Sequence, residues 1–279
     1  MFWTGLRRSI AQLLLGLFIG LFALIAYVAW QSGEPAVGRV FVLLAACYGL
    51  AFLGLGGEWF WARWFAMGVG NFGALSLVSI FRVGLVPELL FFGGSHLFIT
   101  VLLWGPHMAE RYELKHGWRE RLKLQESSVE MLRNAVVSAG MTIPWLILAL
   151  LPTPDGMGWL RGLPLLLAGA ALVGLVRRRT WGVLALGAAA ATAGLAALAS
   201  LGLLSGTATF YLAEIDPLEI YMGPRPVGPV VSVLVAMSGV GLFAACLAAA
   251  AGFVLFVPSM VRFVLGRRRA VRVPRVGRA

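Results

Sequence analysis

Apolar residues run in long blocks along this chain, and polar positions gather in the segments between them. A transmembrane helix needs about 20 mostly apolar residues. Eight blocks approach that length: Ile10–Trp30, Val40–Leu55, Phe65–Val86, Leu89–Trp104, Ala135–Leu151, Leu163–Val176, Trp181–Leu204 and Val230–Val257. They predict an all-α, polytopic transmembrane bundle of about eight spans. The longest polar stretch divides the chain into residues 1–105 (spans one to four), a cytoplasmic amphipathic connector 106–134, residues 135–257 (spans five to eight) and a basic tail 258–279. Each half starts and ends on the same side, so any repeat is a parallel one. The two halves show no convincing sequence similarity.

Charge placement orients this pattern. If the N-terminus is cytoplasmic, 19 of the 23 Lys and Arg residues fall on inner segments, and only Arg39, Arg82, Arg161 and Arg225 fall outside. The 12 acidic residues divide equally. Lys and Arg counts near span ends set orientation, so both termini are expected in the cytoplasm. The first apolar block, at about 21 residues, is too long for a typical signal-peptide core, and a retained first helix is expected.

Composition agrees. The 279 residues are 60% hydrophobic and 13% charged, about half the charged share of a soluble domain. The net charge of +11 follows from orientation, so no nucleic-acid partner is expected. Lys occurs only at Lys115 and Lys123, an Arg bias typical of GC-rich coding. A multi-pass protein of a bacterial inner membrane is the expected setting. Cys47 and Cys246 both lie in apolar blocks and read as small packing residues.

Several features mark the membrane boundary. Trp59, Trp61 and Trp64 follow Gly56-Gly57-Glu58 and read as interfacial anchors, with the indole ring apolar and its N–H wet. In the connector, Trp118, Leu122, Gln125, Val129, Leu132 and Val136 recur at steps of four and three, which places them on one helical face. That face is an amphipathic lead-in to the fifth span, or a docking surface for a protein partner at Trp118, Leu122, Val129 and Leu132. Arg262, Arg267, Arg268, Arg269, Arg272, Arg275 and Arg278 in the tail are expected on anionic inner-leaflet lipid.

Polar residues inside spans are few. His96 is the one ionisable side chain, cysteines aside, clearly within a span. Gly93 and Gly94 remove bulk next to it, opening room for a backbone, a ligand or water. Ser76 and Ser79, with Asn71 deeper toward the cytoplasm, belong to the third span. Asn134, Ser138 and Thr142 recur every four residues on the fifth and share a face. With His96 they form a candidate polar pathway, or equally the hydroxyl and small-residue contacts that hold membrane helices together. Arg82 and Glu88 flank the outer turn between the third and fourth spans as a candidate gate pair.

Other motifs fail on context. The GxGxxG string Gly68–Gly73 has no strand before it, so it is no nucleotide loop. Gly16 and Gly20 form a GxxxG contact face. Asp216, Pro217 and Glu219 read as a helix start rather than a cation site. HExxH, paired intramembrane aspartates and a supported Ser–His pair are missing. No catalytic residue, metal or cofactor is therefore expected. The expected functions are transport of a small neutral or amphiphilic solute, or a non-catalytic membrane subunit or scaffold of a larger complex, with an intramembrane enzyme less favoured.

Overall fold

In the computed structural model, the described residues are 2–79, 85, 87–113, 126–148, 158–176, 181–182, 184–189 and 191–192. Among them all regular structure is helical. The elements are α1 (Phe2–Gln31), α2 (Pro35–Gly56), α3 (Ala62–Leu75) with a 3-10 turn at Ser76–Ser79, α4 (Pro87–Leu103), α5 (Pro106–Glu113), α6 (Glu126–Leu148) and α7 (Gly158–Val176). Residues 181–182, 184–189 and 191–192 are also helical.

Two helices, over Trp3–Gln31 and Pro35–Gly56, are long and apolar enough to cross a membrane. A third crossing arises if α4 and α5, bent by 71° at their junction, count as one broken span. The eight expected spans therefore have a smaller counterpart among the described residues, for local reasons. The α-helical part of the third block stops at Leu75, where a 3-10 turn takes over. In α6 the apolar portion is confined to Leu132–Leu148, because Glu126 and Glu130 occupy its first turns. Val230–Val257 and most of Trp181–Leu204 lie outside the described residues.

Helix α1 reverses into α2 through a three-residue turn in which Gly33 takes φ +80°. Pro35 then opens α2 at a position where its missing N–H costs nothing. The outward side of α1 is apolar throughout its middle: Leu13, Leu17 and Leu24 are exposed there. Trp3 is exposed at one end of the helix, and Tyr27 and Trp30 at the other. Those ends are 27 residues apart, roughly 40 Å along a helix, enough to cover a bilayer core and part of its interface.

Helix α3 is the centre of the packing, touching α2, α4, α5 and α6. Glycines make this possible, and they are the three of the GxGxxG string. A Cβ on Gly68 would fall 2.8 Å from Gly140 Cα in α6, and one on Gly140 would fall 2.5 Å from the Phe65 carbonyl oxygen. Here α3 and α6 meet backbone to backbone. Gly70 and Gly73 serve the opposite contact: a Cβ on Gly70 would lie 2.9 Å from the His96 carbonyl in α4, and Gly73 lies against the His96 ring. Small residues let helices approach where lipid supplies no hydrophobic drive between them. The nominal halves of the chain are thereby joined directly, α3 against α6.

The two ends of the expected connector 106–134 belong to two helices, α5 and α6. Its start, α5, packs back onto α3 and the end of α2 and buries Met108, Tyr112 and Glu113. Its end is the first turns of α6, where Val129, Leu132 and Val136 are buried in the same core. Trp118 and Leu122, the first part of the expected docking stripe, lie outside the described residues. The second part is occupied by the protein's own core.

Candidate functional site

The polar chemistry of the described helices gathers at two places. The first is around His96, fully buried in the middle of α4. Its Nδ1 lies 2.7 Å from the Phe92 carbonyl oxygen one turn earlier. A carbonyl only accepts, so in the neutral ring the hydrogen sits on Nδ1 and Nε2 is the acceptor. The hydroxyl of Tyr48, in α2, donates to that Nε2 at 2.5 Å. Both imidazole nitrogens are thus engaged within the bundle.

Aromatic rings close the surroundings. Phe18 and Phe92 each stand with ring centroids 4.3 Å from the imidazole. Phe72 presents an edge at 6.3 Å. Phe22 meets Tyr48 edge-on at 5.0 Å. The room for the imidazole comes from Gly73, where a Cβ would come within 2.5 Å of its Cγ, Cδ2 and Nδ1. This differs from the expectation that Gly93 and Gly94 open the space. Gly93 instead admits Leu77 and Ser76, and Gly94 has nothing within 4 Å of a Cβ position. The cause is helical phase: the ring at position 96 leans across to α3, away from position 94.

The other pathway candidates spread over several contacts. Ser76 is buried and returns its hydroxyl to the Gly73 carbonyl at 2.6 Å. Asn71 accepts from Thr100 at 3.2 Å, linking α3 to α4. Ser138 and Thr142 are buried along α6, and Asn134 is half-buried. On the same helix Trp145 packs against Phe72 at 4.9 Å, and its buried Nε1 has no hydrogen-bond partner among the described residues. The side chain of Ser79, and all of Arg82, lie outside the described residues, so the pair of Arg82 with Glu88 has no geometry here. Glu88 sits in the first turn of α4, where a carboxylate complements the helix dipole.

The second place is the end of the bundle where α1 starts, α2 meets α3 and α4 meets α5. Glu58 occupies the α2–α3 turn in a left-handed conformation, φ 51°, a position glycine normally takes at a cost to other residues of about 1–2 kcal/mol. Its Oε1 accepts from Arg8 Nη1 at 2.7 Å, and from Arg111 Nε at 3.0 Å and Nη2 at 2.5 Å. The turn therefore holds a carboxylate between a guanidinium from α1 and one from α5.

Beside it lies a buried pair. Arg63 Nη1 is 2.6 Å from Glu113 Oε1, and Arg63 Nε donates to the Leu103 carbonyl at 2.9 Å. Trp64 Nε1 donates to the same Glu113 oxygen at 2.8 Å. Burial draws the Arg63 guanidinium below its ordinary pKa, and the Glu113 carboxylate opposes that shift. Tyr112 donates to the Leu55 carbonyl at 3.1 Å, and its burial pushes the phenol up to about 12. Arg7 Nη2 caps α4 by donating to the carbonyls of Val101, at 3.0 Å, and Trp104.

Of the three expected anchors, Trp59 is exposed and Trp61 half-buried, whereas Trp64 is fully buried. Trp64 differs from the interfacial role expected of it because its N–H has a buried carboxylate to satisfy. The residues that sequence reasoning missed are Tyr48, the partner of His96, and the group Glu58, Arg63 and Glu113. One signal for Tyr48 was available: it is the lone hydroxyl in the block Val40–Leu55. Among the described residues no group of three His, Cys, Asp or Glu side chains has the makings of a metal site. Compared with known proteins, the chain matches no family model, no curated protein and no solved structure.

Proposed function

We propose that this chain is a multi-pass bacterial inner-membrane protein of about eight spans, with both termini cytoplasmic, and that it serves as a non-catalytic membrane subunit or scaffold. The observation that carries the scaffold reading is the state of His96. Its two nitrogens are taken by Phe92 and Tyr48, and its faces are covered by phenylalanines. A side chain that receives a passing solute needs a free polar edge, and this one is committed to holding α2 against α4. The glycine contacts of α3 and the ion pairs at the bundle end act in the same sense, making a rigid module. The Arg-rich tail and the connector near Trp118 and Leu122 are its proposed contacts with lipid and partner.

The test is purification of the tagged full chain from its native membrane in mild detergent. A stoichiometric complex that loses its partner when Trp118 and Leu122 are replaced by Gln, with the chain still folded, is the expected result. A lone monomer that moves solute in vesicles would overturn it. Transport of a small neutral or amphiphilic solute is the second reading. One observation favours it: the Trp145 N–H, unpartnered among the described residues, lies on α6 with the buried hydroxyls of Ser138 and Thr142. Loss of flux on Thr142→Leu, in protein of unchanged melting behaviour, would select that alternative.

A further inference from the structure

We infer that the α1–α4–α5 corner is a binding site for the phosphate of an anionic glycerophospholipid, read by Arg7 beside Trp104. The inference rests on the membrane reading above and concerns a surface separate from the basic tail.

Three guanidiniums, from Arg7, Arg8 and Arg111, gather at this corner. Arg8 and Arg111 share one carboxylate, Glu58. Arg7 has no carboxylate partner among the described residues. Its bonds go through a single nitrogen, Nη2, to the carbonyls that end α4. Those bonds hold the guanidinium in place without neutralising it. One of the carbonyls belongs to Trp104, whose side chain is 66% exposed. Trp3, one helical turn before Arg7, is 73% exposed. Exposed indoles mark headgroup depth. Gly105, with φ +110°, turns the chain there and keeps the surface beside Arg7 free of a side chain. Away from the charges, α4 presents Leu97 and Val101 outward one turn apart. A fixed cation, an indole N–H and an apolar track together match a phosphodiester with acyl chains. Glu110 is exposed on α5 but lies one residue before Arg111, about 100° round the helix.

The experiment titrates the full chain in neutral detergent with phosphatidylglycerol, phosphatidylcholine or glycerol phosphate, and counts bound lipid by native mass spectrometry. Wild type is expected to retain phosphatidylglycerol in preference to phosphatidylcholine. Arg7→Gln should weaken phosphatidylglycerol about fivefold, the effect of one basic residue at a membrane surface, and leave phosphatidylcholine alone. Arg269→Gln in the tail should change it much less. Arg7→Gln also removes a helix cap, so Trp104→Ala, which keeps the backbone carbonyl, is measured beside it; phosphatidylglycerol binding should fall with the melting temperature held. Equal binding of both lipids by wild type, an unchanged preference in Arg7→Gln and Trp104→Ala, or an equal loss in Arg269→Gln would overturn the site. Competition by glycerol phosphate at lipid-like concentrations would overturn the lipid assignment in favour of a free anion. Release of the chain from membranes by carbonate would remove the membrane reading itself, whereas an integral chain without the preference removes only this site.

Discussion

Gly73 and Gly94 offer one chemical change in two opposite settings. Replacing either with Ala adds a methyl group to a helix, which by propensity alone favours folding by about 1 kcal/mol. At Gly94 nothing lies within 4 Å of the new Cβ, so the propensity gain stands nearly alone. At Gly73 the new Cβ would come within 2.5 Å of three imidazole atoms, where ordinary contact begins at 3.4 Å. The ring cannot swing aside without breaking its bonds to Tyr48 and Phe92, and Phe18 and Phe92 close its other faces. Overpacking of this kind costs about 1–3 kcal/mol, and occasionally more. With the overlap this deep, the upper end applies. Gly73→Ala should then destabilise by about 2 kcal/mol net and Gly94→Ala should stabilise by up to about 1 kcal/mol. The assay is unfolding of the purified protein in detergent, followed by tryptophan fluorescence. A double-mutant cycle isolates the cause: in a His96→Ala background the penalty of Gly73→Ala should vanish. Equal shifts for the two alanines, or a Gly73 penalty that survives removal of the imidazole, would refute the placement of the ring on Gly73.

Other consequences follow from the same contacts. Tyr48→Phe leaves the buried Nε2 of His96 without its donor and should cost about 1–3 kcal/mol, measured by the same unfolding assay; a neutral effect would mean that the pair is not formed. Glu113→Ala strands the buried Arg63 guanidinium and should cost about 3–5 kcal/mol, more than Glu58→Ala, whose partners are partly solvated; the reverse order would contradict the burial of the Arg63 pair. Tyr112 gives a pH signature. Its folded pKa of about 12 lies above the ordinary 10.0, so its contribution is fully present below pH 10 and is lost as pH rises toward 12. Wild type should therefore lose stability more steeply than Tyr112→Phe between those values, and parallel curves would count against its burial.

How far the sequence reaches is visible in individual residues. Block lengths were enough to read the described residues as helices, some of them suited to a membrane, because they reflect the cost of placing polar groups in hydrocarbon. Hydropathy likewise singled out His96 as a rare ionisable group. Its partner escaped, since Tyr48 lies 48 positions away and no local pattern records which helices meet. The glycines of the GxGxxG string were legible as unusual but not as packing surfaces, because one of them faces α6 and two face α4, a division set by helix rotation. Arg63 and Glu113 looked like ordinary loop charges. Only the folding of α5 back onto α3 made them a buried pair. Segment chemistry is written locally, in propensity and transfer free energy. Which side chain stands opposite which is decided by non-local packing, where a single added methyl is enough to change the answer.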